Sequence, residues 1–81
     1  ENIPNPFSNS TTIRFFLANE GKAKFEVHNM LGKLIYSTDI NGQMGNNEYD
    51  FNCGNLSNGM YFYTIKYKNF SETKRMILYG N

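Results

Sequence analysis

The chain has 81 residues and a mass of 9.4 kDa, the size of one small domain that buries only about 60% of its unfolded surface. Its 40% hydrophobic content, with seven phenylalanines and six tyrosines, excludes a disordered chain. A net charge of +1 with no long run of either sign argues against nucleic acid, and the one cysteine, Cys53, excludes an internal disulfide, a cysteine zinc cluster and a CxxC redox pair.

The segments between Asn, Gly and Ser clusters are too short for ordinary helices and suit strands. Pro4 and Pro6 hold the first residues extended, so residues 1–10 read as a lead-in docked on the domain. Thr11 to Leu17 is the first strand, with Ile13, Phe15 and Leu17 on one face and Thr12, Arg14 and Phe16 on the other. After a turn at Asn19-Glu20-Gly21, Lys22 to Asn29 alternates strictly: Ala23, Phe25 and Val27 point to the core, and Lys24, Glu26 and His28 to solvent.

Met30-Leu31-Gly32 makes a tight connection in which Gly32 supplies a positive φ. Lys33 to Thr38 follows as a short strand with Ile35 inward and Leu34 and Tyr36 on the opposite face, and Asn41 to Asn47 reads as a loop. Glu48 to Phe51 is a brief strand with Tyr49 and Phe51 on one side. Asn52 through Gly59 is again punctuated, and Met60 to Lys68 is the longest strand candidate, with Tyr61, Tyr63, Ile65 and Tyr67 along one face. Lys68-Asn69 turns into a last strand, Ser71 to Tyr79, and the final two strands form a hairpin.

Six or seven short antiparallel strands bury their apolar faces most simply as two packed sheets, which predicts an all-β, immunoglobulin-like β-sandwich; a small closed barrel is the alternative. Tyr61, just after Ser57-Asn58-Gly59, is placed to tie its hydroxyl back to the preceding loop, as in the tyrosine corner of such domains.

No catalytic, cofactor or metal site is visible. His28 is the one histidine and lies on a charged strand face, while Glu26 and Glu48 lack a nearby nucleophile or a metal-ligand spacing. The tyrosines of Met60 to Lys68 have the spacing of a sugar-stacking platform and equally that of a sheet core. No apolar run reaches the ~20 residues of a membrane-spanning helix, and Glu1-Asn2-Ile3-Pro4 is unlike a signal peptide.

Four pieces recur in order along the chain: Pro4-Asn5-Pro6-Phe7 with Ser10-Thr11-Thr12-Ile13; Phe25 to Lys33 with its Leu31-Gly32-Lys33 turn; Leu56-Ser57-Asn58-Gly59-Met60-Tyr61-Phe62-Tyr63; and Thr73-Lys74-Arg75-Met76-Ile77-Leu78. Together they resemble the type A C-terminal sorting domain of the type IX secretion system of Bacteroidetes-type bacteria. His28 and Asn29 stand where that family often has Tyr and Asp, Cys53 where Trp or another apolar residue is common, and Tyr79-Gly80-Asn81 lacks a terminal basic residue.

The resemblance implies a non-catalytic signal at the carboxyl end of a passenger that reaches the periplasm by its own signal peptide. The outer-membrane type IX translocon would recognise the folded tail, and a surface sortase would then remove it for cell-surface attachment or release of the passenger. On that reading Lys74, Arg75, Met76, Ile77 and Leu78, with the Gly59-Met60-Tyr61 turn, form or support the docking surface, and Asn5, Pro6, Phe7, Gly32, Gly59 and Tyr61 are structural signature residues. An immunoglobulin-like spacer and a carbohydrate-binding accessory module are the rival functions, and an unpaired edge strand offers a route to a homodimer.

Overall fold

The computed structural model describes residues 2–3 (backbone only), 9–54 and 56–79. The elements are β1 (Asn2–Ile3), β2 (Ser10–Leu17), β3 (Gly21–Asn29), β4 (Leu34–Gly42), β5 (Gly45–Asn52), β6 (Gly59–Tyr67) and β7 (Phe70–Leu78). All pairings are antiparallel. They form a three-stranded sheet in the order β1-β2-β5 and a four-stranded sheet in the order β4-β3-β6-β7. Among the described residues the two sheets share no paired strands, so this is a sandwich and not a closed barrel.

The core follows from strand parity. Ile13, Phe15, Leu17 and Phe51 from the smaller sheet meet Ala23, Phe25, Val27, Tyr63, Ile65, Met76 and Leu78 from the larger one, and all are buried. Each large apolar side chain so removed from water stabilises the fold by roughly 1.5–3 kcal/mol. Phe25 is the hub, with its ring 5.2 Å from Tyr49, 5.6 Å from Phe51 and 5.9 Å from Tyr63, and the tilted and edge arrangements suit aromatic quadrupoles.

Two expectations are corrected. Tyr36 does not face away from the core: Val27 lies opposite Tyr36 and His28 opposite Leu34, so Ile35 is an extra, bulged residue. The bulge shifts the parity of the strand, and both Ile35 and Tyr36 pack against the core. Nor is Asn41 to Asn47 a loop, because β4 runs on to Gly42 and β5 starts at Gly45, leaving Gln43 and Met44 to cross between sheets. The Asn47 side chain closes this arch, accepting from Gln43 N at 2.9 Å and donating to Gln43 O at 2.9 Å and Gly45 O at 3.1 Å. A side-chain amide here takes the place of main-chain partners.

Polar ties fix the ends of the sandwich. The Tyr67 hydroxyl donates to the carbonyls of Asn19 and Glu20 at 2.8 and 3.1 Å, and Tyr61 donates to the Ser57 carbonyl at 2.6 Å. Cys53 is buried, and both its amide and its thiol donate to the Asn9 carbonyl at 3.0 Å.

Candidate functional site

β7 divides the predicted docking residues by parity. Met76 and Leu78 are buried and anchor the strand, whereas Arg75 and Ile77 point to the outer face of the larger sheet. Lys74 is exposed on the other side of the strand, 4.0 Å from Glu72, a separation at which a solvent-exposed pair adds little stability.

Register shows what surrounds Arg75 and Ile77. Arg75 lies opposite Phe62 and Ile77 opposite Met60; Phe62 in turn lies opposite His28, and His28 opposite Leu34. One row of side chains, Leu34, His28, Phe62 and Arg75, therefore crosses all four strands, with Met60 and Ile77 beside it. Ile77 and Leu34 are exposed, and Met60 and Phe62 are half-buried. Arg75 has no ion-pair partner among the described residues.

The other half of the same face carries two ion pairs. Lys24 pairs with Asp39 at 3.5 Å, Lys66 with Glu26 at 3.0 Å, and the hydroxyls of Thr64 and Thr73 lie 2.8 Å apart. One half is thus polar with two ion pairs, and the other is mostly apolar with the Arg75 guanidinium and the His28 imidazole. Aromatic residues, methionine and arginine are the types enriched at protein interfaces. Leu34, His28 and Phe62 escape a sequence reading of this surface because their proximity to Arg75 depends on pairing partners more than ten residues away.

The signature residues are placed as follows. Asn5, Pro6 and Phe7 lie outside the described residues, as does most of the 1–10 lead-in, of which Asn2 and Ile3 pair with Ile13 and Thr12. Gly32 and Gly59 have φ of +82° and +148° with open space where a Cβ would sit, so backbone conformation sets their identity. The turn at Gly32 is closed by Asn29, whose side-chain oxygen accepts from Leu31 N at 2.9 Å and Lys33 N at 3.0 Å. A carboxylate would accept the same two bonds, so Asn in place of Asp keeps the turn.

The tyrosines of β6 offer no stacking platform. Tyr61, Tyr63 and Tyr67 are all buried between the sheets.

The family model of the secretion system C-terminal sorting domain matches residues 3–79. The chain belongs to this family. It is a non-catalytic sorting signal of type IX secretion, acting with that secretion apparatus in transit through the periplasm to the cell surface or beyond. Comparison with curated proteins and with solved structures found no match.

Proposed function

We propose that outer-membrane components of the type IX translocon recognise the folded sorting domain through the apolar and basic half of its larger sheet: Arg75, Ile77, Met60 and Phe62, with Lys74 at the margin. The observation that carries this reading is Arg75, which has no ion-pair partner among the described residues, beside exposed Ile77 and half-buried Phe62, while Lys24 and Lys66 elsewhere on the face pair with Asp39 and Glu26. A partner of matching chemistry presents apolar side chains around a carboxylate, which would pair with the guanidinium as the apolar contacts exclude water. Met76 and Leu78 support the surface by holding β7 in the core.

On this reading residues 1–81 work as one unit, with residues 1–10 as lead-in, and a surface sortase removes the unit when the passenger is attached or released. The fold is read as immunoglobulin-like, supported by the β1-β2-β5 and β4-β3-β6-β7 orders and by the Tyr61 to Ser57 bond at the start of β6.

The test is export. The chain is fused to the carboxyl end of a Sec-targeted periplasmic reporter in a bacterium with a type IX system, and reporter outside the outer membrane is measured with the translocon intact and disabled. Translocon-dependent export is expected and justifies mapping the surface; a stable fusion retained in both strains would instead favour a spacer.

A further inference from the structure

The side of the sandwich bounded by β2 and β7 is open. Two clefts of about 600 and 640 Å³ lie along it and share Phe16 and Glu72 in their walls. Phe16, 64% exposed, stands on the β2 wall, and Phe70, 51% exposed, on the β7 wall. β1 pairs with β2 only at Thr12 and Ile13, so among the described residues Phe15, Phe16 and Leu17 have no paired strand on that side. The cleft at the Leu17 end, walled by Phe16, Leu17, Tyr67 and Phe70, is mainly apolar, whereas the one beside Phe15 is walled largely by polar side chains, among them Asn46, Glu48 and Lys74. An unpaired strand margin beside such clefts is the arrangement that takes an added strand, with main-chain bonds giving affinity and alternate side chains entering the cleft.

The register of β1 identifies the strand. Asn2 lies opposite Ile13 and Ile3 opposite Thr12, so each step back along the chain advances one residue along β2. Carried on, this sets the three residues before Glu1 opposite Phe15, Phe16 and Leu17. A C-terminal sorting domain follows its passenger, so in the precursor a chain segment leads into Glu1.

We propose that the segment joining the passenger to this domain continues β1 along β2 and fills the cleft between β2 and β7. Opposed residues of an antiparallel pair share a face. The first and third residues before Glu1 therefore share the inner face with Phe15 and Leu17, while the second lies on the outer face beside Phe16. A linker held this way is shielded from proteases, which nick exposed and mobile segments, until the strand is released.

This rests on the sorting-domain reading only in that a passenger lies upstream. The test uses the full precursor, with Phe16→Cys combined with a cysteine at the second residue before Glu1, in a Cys53→Ala background. Cα atoms of opposed residues about 4.5–5.5 Å apart lie within disulfide reach. An intramolecular disulfide at that position, and much less at the first or third residue, is expected. Equal cross-linking at all three, or none, would overturn the proposal, as would a disulfide between two molecules, which would assign the cleft to a second copy.

Amide exchange in the wild-type precursor gives an independent reading. Whichever of the Phe15 to Leu17 amides faces that margin should exchange at least about ten-fold more slowly than in a precursor whose linker is replaced by Gly and Ser. Equal rates would also overturn it. Export is followed in parallel, so an exported precursor without the cross-link rejects the added strand and leaves the sorting role standing.

Discussion

The hydroxyls of Tyr36 and Tyr49 meet at 2.5 Å, joining a strand of the four-stranded sheet to a strand of the three-stranded one. Their rings flank the aromatic hub, with Tyr36 5.1 Å from Phe51 and Tyr49 5.2 Å from Phe25. Burial first, then the bond to Tyr36 and its charge, push the Tyr49 phenol up to about 12. Above the ordinary tyrosine value of about 10, the unfolded chain loses this proton while the folded chain keeps it. Stability is therefore full below about pH 10 and declines as the pH rises through about 12. Tyr36→Phe should cost roughly 1 kcal/mol at neutral pH and flatten that decline. Denaturant midpoints across the alkaline range test this; a variant curve that tracks the wild type throughout counts against it.

Tyr61 places a polar tip on a buried ring, and its bond to the Ser57 carbonyl holds the loop leading into β6. Tyr61→Phe keeps the ring and removes only the hydroxyl, so a loss of about 1–2 kcal/mol is expected in urea unfolding. An unchanged midpoint would mean that the loop is held by other contacts.

Gly42 is a close approach between the sheets. A Cβ there would collide with the side chain of Leu17, which is only 1% exposed and has little freedom to move. Gly42→Ala should destabilise by about 1–3 kcal/mol through overpacking. Combined with Leu17→Ala it should cost less than the sum of the two single changes, and strict additivity in that cycle would contradict the clash.

The docking surface separates from the core by variant. Lys74→Ala and Arg75→Ala, both exposed, should shift stability by no more than about 0.5 kcal/mol yet lower export of the reporter fusion. Lys24→Ala and Lys66→Ala, which pair with Asp39 and Glu26 in the other half of the same face, should leave export unchanged. Met76→Ala should lower export only by costing about 2–5 kcal/mol of stability. Normal export of a folded Lys74→Ala, Arg75→Ala double variant would remove these two residues from recognition.

Alternation alone determined most of the strands and the direction of their faces. Ile13, Phe15 and Leu17, then Ala23, Phe25 and Val27, are buried as their period of two requires. Tyr61 was legible as a corner residue because its partner lies only four residues away. Local chemistry likewise marked Gly32, whose positive φ follows from the tight turn it closes. The four ordered motifs carried the family, and with it the sorting role.

Tertiary structure decided what depends on distant partners. The bulge at Ile35 arises in pairing with β3, so nothing within Lys33 to Thr38 announces that Tyr36 turns inward. The Gly and Asn residues of Asn41 to Asn47 signal a turn, but their extension into two strands comes from pairing with β3 on one side and β2 on the other. The same holds for the surface. Parity exposes Arg75, but only the order β4-β3-β6-β7 sets Phe62 and His28 beside it, because a strand's sequence fixes its two faces and not its neighbours.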